Sequence, residues 1–232
     1  METAVPFSAD APDAALPALV LLCKRPALGH AKQRLAATLG QQRALTLANA
    51  LLDCALEDLC KWPGVSVIAP DSSRHLEWAR SLAPNAHCLA QSEGNLGQRL
   101  NALDAKLRDQ GMSQLMFIGS DCPALMPDDY RNVQSLLQDF DTVLLNARDG
   151  GVVLMASNQP WPDLTPLPWS TAVLGSELAQ LCRLAGQRVI VAGESFDIDV
   201  AADLGLLQES LVDDRRPARR RLMDQLRIQS NA

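Results

Sequence analysis

The sequence contains few of the groups that usually act as nucleophiles or proton carriers. Its 232 residues include three histidines and one tyrosine, and none of the six cysteines forms a Cys-x-x-Cys pair. No histidine lies at zinc-ligand spacing, which argues against a zinc-finger or zinc-ribbon module. Cys122 lies closest to a candidate site, but the sequence places no histidine near it to activate the thiol.

Long apolar runs and an excess of positive charge are also missing. No run approaches the roughly 18 apolar residues of a membrane span. Residues 1–17 lack the basic start and the apolar centre of a signal peptide. The net charge of −6 at pH 7 argues against a dedicated nucleic-acid-binding protein. We therefore expect a cytoplasmic protein whose partners include neither membrane nor nucleic acid.

The hydrophobic fraction of 47% is sufficient for one large domain. We divide the chain into a disordered N-terminal arm over residues 1–17, a globular domain over 18–211 and a basic C-terminal tail over 212–232. The tail carries an arginine run, which we interpret as the exposed face of a solvated helix: Arg215, Arg216, Arg219, Arg220 and Arg221.

Continuous apolar runs at 18–23 and 115–118 predict strands that are buried on both faces. Strand and helix patterns alternate along the chain, and one hairpin-like pair of strands spans residues 141–156. Thr38 is predicted to cap a long helix that ends near Lys61. This order predicts an α/β fold, a three-layer α/β/α sandwich with a mostly parallel, Rossmann-like mixed sheet.

Asp121 follows the central predicted strand, just beyond Gly119. Open α/β sheets bind their ligands at the carboxyl ends of such strands. A carboxylate there suits a hard cation, so we predict a site for Mg²⁺ or Mn²⁺. The alternative is that Asp121 caps the following turn or helix.

Four cationic side chains follow the first predicted strand, in a loop that also contains a proline and a glycine. A loop of this kind suits the phosphates of a nucleotide, although the Gly-Lys-Ser/Thr sequence of a Walker A loop is absent. The alternative is a solvated basic turn. The residues of this loop are Lys24, Arg25, Pro26, Gly29, Lys32 and Arg34.

A second glycine-containing loop opens a predicted helix. Gly94 and Gly97 lie at its start, where backbone N–H groups can contact a nucleotide. Arg99 either reaches this site or faces solvent.

Two later turns also contain candidate residues. Asp149 and Gly150 are candidates for nucleotide contact, although Asp-Gly is also ordinary hairpin-turn chemistry. Trp169 ends a proline-rich loop, where it is either a lid over a substrate or part of the core, which we favour.

Acidic residues follow the last predicted strand. Asp197 and Asp199 alternate with Ile198, so in an extended segment both carboxylates point the same way. One of them could supply a second ligand to a metal held by Asp121. The alternative is that Asp199 caps the next helix.

Six short motifs resemble, in the same order, those of a bacterial family of predicted transferases, the radical-SAM/selenodomain-associated transferase one family. The resemblance spans about residues 18 to 207 and implies the type-A glycosyltransferase fold of the nucleotide-diphospho-sugar transferase superfamily. The motifs are Lys24-x-Pro26-x-x-Gly29-x-x-Lys32-x-Arg34-Leu35, Gly94-Asn95-Leu96-Gly97-x-Arg99, Gly119-Ser120-Asp121-Cys122-Pro123, Asp149-Gly150-Gly151, Trp169-Ser170-Thr171 and Asp197-x-Asp199-x-x-x-Asp203-Leu204.

The resemblance also implies roles for individual residues. Asp121 and Asp199 would hold the metal, and the basic loop would lie against nucleotide phosphates. Our candidate catalytic residues are Asp121, Lys32 and Arg34. Our candidate nucleotide-binding residues are Lys24, Pro26, Gly29, Lys32, Arg34, Gly94, Gly97, Arg99, Asp149 and Gly150.

These observations lead to a metal-dependent transferase that acts on a nucleoside triphosphate or a nucleotide sugar, with an unknown acceptor. The basic loop slightly favours nucleotidyl over glycosyl transfer. Gln33 and Val152 stand where the family usually has a threonine and an aromatic residue, which motivates a second hypothesis, a non-catalytic nucleotide-binding or interaction protein. A metal-dependent phosphohydrolase is a third.

Overall fold

The computed structural model of the protein describes residues 16–30 and 32–230, the last three without their side chains. The predicted arm over residues 1–17 lies outside this range except for Leu16 and Pro17. Within the described residues, no helix has both the length and the apolar character that a membrane span requires.

The described residues form seven strands and eight α-helices. The strands are β1 (Ala18–Cys23), β2 (Ser66–Pro70), β3 (His87–Cys88), β4 (Leu115–Ile118), β5 (Thr142–Ala147), β6 (Val152–Ser157) and β7 (Val189–Ser195). The helices are α1 (Gln33–Leu39), α2 (Gln41–Lys61), α3 (Leu76–Leu82), α4 (Leu96–Asp109), α5 (Pro127–Leu136), α6 (Leu174–Leu184), α7 (Asp203–Ser210) and α8 (Pro217–Ser230).

All seven strands belong to one sheet, in the order β3-β2-β1-β4-β6-β5-β7. Strand β6 runs antiparallel to its neighbours β4 and β5, and the other pairs are parallel. The predicted mostly parallel mixed sheet is therefore confirmed. Strands β1 and β4 are adjacent and parallel, so the loops that follow them leave the sheet side by side.

Both faces of the sheet are covered, which explains the uninterrupted apolar strands. Leu19 and Leu21 of β1 pack on one face, with residues of α2, α3 and α5. Val20 packs on the other face, with residues of α4 and α6. Alternate side chains of one strand thus enter different cores, and neither face tolerates a polar residue.

Helix α8 is not the solvated tail that its arginines suggested, and that interpretation is wrong. Leu222 and Leu226 are buried in a third apolar cluster, which α8 shares with α1, α2 and α7. Arg219 is fully buried and Arg216 is mostly buried. Only Arg215, Arg220 and Arg221 of the run are exposed.

The predicted long helix from Thr38 to Lys61 is two helices. Gly40 separates them with φ 81° and ψ 157°, a conformation that favours glycine. Thr38 lies inside α1, and α2 begins at Gln41. Helix α1 begins at Gln33, directly after Lys32 of the basic loop.

Candidate functional site

The loops after β1 and β4 bring opposite charges into direct contact. The Nζ of Lys32 donates hydrogen bonds to Asp121 Oδ2 at 2.8 Å and to Asp199 Oδ1 at 2.9 Å. The structure therefore brings Asp121, Asp199 and Lys32 together at one place. Parallel strands explain the first contact, because their carboxyl ends lie at the same edge of the sheet.

Strand β7 is the outermost strand of the sheet, and the segment that follows it runs back to the loop after β4. The N–H of Ile198 donates to the carbonyl oxygen of Asp121 at 3.0 Å. The thiol of Cys122 donates to the carbonyl oxygen of Phe196 at 3.0 Å. These bonds join the two acidic loops, so the carboxylates that they carry are held at one place.

Asp203 stabilises the turn after Asp199. Its Oδ2 accepts hydrogen bonds from the backbone N–H groups of Asp199 and Val200, each at 2.8 Å. Asp199 does not perform the capping role that we considered for it, because the N-cap of α7 is Ala202 and no side chain caps this helix. The carboxylate of Asp199 instead points to Lys32 and Arg34.

Asp121, Asp197 and Asp199 form an acidic triad, with ligand oxygens that all lie within 4.8 Å of one another. Burial, followed by the charges of Asp121, Asp199 and Asp149, raises the pKa of Asp197 to about 6. The alternation of Asp197 with Asp199 made either of them a candidate second ligand, and the resemblance selected Asp199, whereas the structure places both beside Asp121. Three converging carboxylates suit a divalent cation, and the ammonium of Lys32 shows that positive charge fits there.

Lys32 reaches the triad from an unusual backbone conformation, with φ 42° and ψ 61°. A non-glycine residue in this left-handed region costs free energy, and such residues concentrate at functional sites. Burial lowers the pKa of Lys32, but its contacts with Asp121 and Asp199 outweigh burial and raise the pKa above its usual value. Arg34 lies further out, with Nη1 3.5 Å from Asp199 Oδ2 and its side chain 68% exposed.

A cavity of about 470 Å³ opens beside the triad. Arg34 and four aspartates line one part of it: Asp121, Asp149, Asp197 and Asp199. Apolar side chains that include Leu100, Met155 and Trp169 line the other part. Val152, where the resembling family usually has an aromatic residue, also faces this cavity.

Lys24, Pro26 and Gly29 of the basic loop do not line the cavity. Lys24 is exposed and Pro26 is half-buried. Gly29 has φ 77°, and its carbonyl oxygen accepts a hydrogen bond from Nε2 of Gln33. Gln33, which stands where the family usually has a threonine, thus stabilises the basic loop through a bond between the first turn of α1 and Gly29.

The second glycine loop has a packing role. A Cβ on Gly97 would overlap the carbonyl oxygen of Leu164, so only glycine lets α4 approach the proline-rich loop. Gly94 has φ 112° and precedes the capping box of α4. Arg99 is half-buried, and within the described residues its Nε has no hydrogen-bond partner. Neither these glycines nor Arg99 lines the cavity.

Asp149, in the hairpin between β5 and β6, both stabilises the turn and lines the cavity. Asp149 Oδ1 accepts from the N–H of Gly151 at 2.9 Å, and Asp149 also lines the cavity. A Cβ on Gly150, which has φ 89°, would overlap the carbonyl oxygen of Ala172. The glycine therefore lets the hairpin pack against the loop that leads into α6.

Trp169 packs against the apolar core on one face of the sheet, as we favoured, and it does so from the wall of the cavity. It is half-buried. Its indole Nε1 donates to the carbonyl oxygen of Leu164 at 3.1 Å, which fixes the ring above the apolar part.

Cys122 lies beside Asp121 but is buried, and burial raises the pKa of its thiol to about 12. The thiol is therefore protonated at neutral pH. It supports the loop and is not poised as a nucleophile.

The fold and the site define a mixed α/β protein whose sheet presents an acidic cluster and a basic loop at one edge. The chain belongs to the DUF2064 family, described as uncharacterized protein conserved in bacteria, whose sequence model matches residues 45–171. A comparison with curated proteins found no match.

Among solved structures, the chain resembles a proposed nucleotide-diphospho-sugar transferase from Desulfovibrio desulfuricans G20, with a TM-score of 0.84 and 21% identity over 94% of this chain and 96% of that one. It also resembles CMP:2-keto-3-deoxy-manno-octonic acid synthetase in complex with CTP, with a TM-score of 0.51 and 12% identity over 86% and 100%. A third match is 4-diphosphocytidyl-2C-methyl-D-erythritol synthase, with a TM-score of 0.51 and 9% identity over 85% and 99%. At these identities the matches establish the nucleotide-diphospho-sugar transferase fold.

Proposed function

We propose that this protein is a divalent-metal-dependent transferase that acts on a nucleoside triphosphate or a nucleotide sugar in the cytoplasm. The six motifs support a place within the radical-SAM/selenodomain-associated transferases. CMP:2-keto-3-deoxy-manno-octonic acid synthetase, which shares the fold, was solved with CTP. Together with the basic loop, this slightly favours nucleotidyl transfer over glycosyl transfer.

The observation that carries the proposal is the meeting of three carboxylates with a basic loop at one sheet edge. Asp121, Asp197 and Asp199 lie close enough to share one cation. Lys32 and Arg34 contact the same carboxylates from the loop after β1. Nucleotide phosphates with a divalent ion need both kinds of group at one place.

In this proposal, Asp121, Asp197 and Asp199 hold Mg²⁺ or Mn²⁺, which when bound stabilises negative charge on the transferred group and the leaving group. Lys32 and Arg34 donate hydrogen bonds to phosphate oxygens. Phosphoryl transfer depends on positioning and electrostatics more than on a protein nucleophile. The protonated thiol of Cys122 is consistent with such a reaction.

Calorimetric titration of nucleoside triphosphates and nucleotide sugars, with Mg²⁺ and with EDTA, tests the proposal. We expect at least one nucleotide to bind only with Mg²⁺, and Asp121→Asn to abolish that binding. A true ligand at a hundred times its dissociation constant should stabilise the fold by about 2.7 kcal/mol.

Asp213→Asn removes the same charge from an exposed position and serves as the control. Its titrations should match those of the wild type. If Asp121→Asn binds the nucleotide as well as Asp213→Asn does, the metal-dependent transferase is excluded.

One observation favours the second hypothesis, a nucleotide-binding protein without catalysis. Lys32 already pairs with Asp121 and Asp199, so the triad has an internal cation. Nucleotide binding that is equally strong in EDTA, with no product from any nucleotide, would support this hypothesis and contradict the first.

A further inference from the structure

The cavity beside the acidic triad has two chemically different parts. Its acidic part contains Asp149 as well as the triad. Its apolar part is formed by side chains that pack on one face of the sheet, among them Leu100, Phe117 and Met155. A molecule that fills about 470 Å³ here needs an apolar body and a polar end that suits carboxylates.

The cavity does not coincide with the residues that the sequence assigns to the nucleotide. Of those ten residues, only Arg34 and Asp149 line it. Lys24 and Gly29 lie in the basic loop outside it, and Gly97 is occupied by packing against Leu164. In the proposed function the phosphates lie at the basic loop and at the acidic part of the cavity, so the apolar part is left for a second molecule.

The apolar part has a fixed wall. The indole N–H of Trp169 is bonded to the carbonyl oxygen of Leu164. The backbone N–H of Leu164 donates to Asn101 Oδ1 at 2.8 Å, and Asn101 Nδ2 donates to the carbonyl oxygen of Pro162 at 2.8 Å. This chain of bonds ties Trp169 to helix α4, so its ring is available as a preformed apolar surface.

The charge of the cavity disfavours an anion. Four carboxylates line it, whereas Lys32 is bonded to two of them and Arg34 is largely exposed. A divalent metal would cancel part of this negative charge, but the phosphates of a bound nucleotide would add more. Like charges at short range in a partly buried site repel strongly.

We infer that this cavity binds the acceptor of the reaction, and that the acceptor is an uncharged or positively charged molecule with an apolar body and a hydroxyl or amino group. Only the identification of the ligand as the acceptor rests on the proposed function. The charge selectivity of the cavity follows from its lining alone, so the proposed function and the selectivity can fail separately.

Three phenols of nearly equal size test this selectivity: tyramine is cationic, tyrosol is neutral and 4-hydroxyphenylacetate is anionic. Saturation-transfer NMR gives their dissociation constants in EDTA without nucleotide. We expect tyramine to bind at least about tenfold more tightly than 4-hydroxyphenylacetate, with tyrosol between them. Binding of the anion with equal or higher affinity overturns the inference, as does a lack of binding by all three.

Two tryptophan variants locate the binding. Trp169→Ala should weaken tyramine and tyrosol about tenfold, because it removes part of the apolar wall. Trp78→Ala removes an indole from the opposite face of the sheet and should leave both affinities unchanged. If the two variants behave alike, the probes bind elsewhere and the inference fails.

The same samples, titrated with nucleotide and Mg²⁺, separate this inference from the proposed function. Metal-dependent nucleotide binding without preference among the phenols would remove the inference alone. Selective phenol binding without any nucleotide binding would remove the transferase and leave the cavity as a site for neutral or cationic molecules.

Discussion

Two charge clusters in this molecule show how similar residues serve different purposes. The buried cluster joins helices α2 and α8 and consists of Glu57, Asp58, Asp214, Arg216 and Arg219. The acidic site consists of Asp121, Asp149, Asp197 and Asp199 with Lys32 and Arg34. Each contains two cations within reach of carboxylates, but their balance and exposure differ.

In the buried cluster the three carboxylates are matched once Lys61, which pairs with Glu57 at the rim, is counted with the two arginines, and the donors are occupied. Arg219 is 0% exposed and donates to Asp58 Oδ2 and to the carbonyl oxygen of Cys54, each at 2.5 Å. Arg216 binds Asp58 and Asp214, and Glu57 is also paired with Lys61. A buried ion network of this kind is tolerated because its hydrogen-bonding groups are satisfied.

In the acidic site, by contrast, carboxylates outnumber cations and remain accessible. Asp121 and Asp199 are 35% and 39% exposed, and Asp197 holds its proton more strongly than usual. Nothing in the packing of the sheet requires this excess of negative charge. The buried cluster therefore stabilises the fold, whereas the acidic site, within the described residues, has unpaired negative charge that could hold a metal ion.

The two clusters are physically connected. Arg219 Nε donates to the carbonyl oxygen of Pro123 at 3.2 Å, and Arg216 Nη1 donates to that of Leu125 at 2.7 Å. Both carbonyl groups belong to the loop that begins at Asp121. Arg216 and Arg219 thus hold the loop that carries Asp121. The interpretation of residues 212–232 as a solvated tail did not predict this support.

The largest effect is expected for Arg219→Met, which removes the fully buried partner of Asp58, Glu57 and the Cys54 carbonyl oxygen and leaves the two carboxylates only Arg216 and Lys61. The free energy of unfolding should fall by about 3–5 kcal/mol, measured by urea denaturation. Arg220→Met on the exposed side of α8 is the control and should cost less than about 0.5 kcal/mol. Equal costs for the two variants would remove the distinction between the clusters.

Lys32→Met should cause the next largest loss of stability, and a divalent metal should reverse that loss. In EDTA it removes two charge-assisted hydrogen bonds from the triad, so stability should fall by about 2 kcal/mol. Mg²⁺ or Mn²⁺ should restore it, because the metal replaces the lost ammonium. Thermal unfolding with and without metal measures this.

Lys106→Met, an exposed site on α4, is the control for Lys32→Met and should change neither stability nor metal response. If Lys32→Met stayed less stable than the wild type at saturating metal, Lys32 would have a structural role like the arginines of the buried cluster. The two clusters would then not differ in purpose.

Asp197→Asn should stabilise the metal-free protein at neutral pH. The folded protein holds the Asp197 proton up to about pH 6, whereas the unfolded chain releases it near pH 4, so stability is lost as pH rises between these values. Asparagine removes that cost, so the variant should gain about 1–2 kcal/mol at neutral pH and nothing below about pH 4.

The gain is set below the full linkage value because Asp197 is half-exposed. Urea denaturation in EDTA at several pH values measures it, with Asp213→Asn as the control. A gain that is the same at all pH values would show that the effect does not come from the Asp197 proton.

Much of the fold followed from patterns that are local in sequence. The apolar runs of β1 and β4 indicate burial on both faces, and the position of Asp121 after β4 indicates the ligand-binding edge. The convergence of Asp121 with Asp199 followed from the same rule together with the family resemblance.

What the sequence could not show depends on contacts between distant residues. Arg219 is buried because Asp58 lies opposite it, 161 residues earlier in the chain, and no local pattern distinguishes it from Arg220. Lys32 contacts the carboxylates from a left-handed backbone conformation, which residue type does not predict. The cavity wall at Trp169 likewise depends on how the proline-rich loop docks on α4.

The smallest effect on stability, and the sharpest contrast with Arg219, is expected for Arg34→Gln. The exposed Arg34 lies 3.5 Å from Asp199, so its loss should change the free energy of unfolding by less than about 0.5 kcal/mol. If Arg34 instead contacts nucleotide phosphate, the same variant should weaken metal-dependent nucleotide binding about tenfold or more, since a charge-assisted hydrogen bond is lost. Calorimetry measures this against Arg43→Gln, an exposed arginine of α2 that should leave the affinity unchanged. Equal nucleotide affinities in the two variants would mean that the basic loop is a solvated turn, so the excess of carboxylates would have to be explained without a nucleotide.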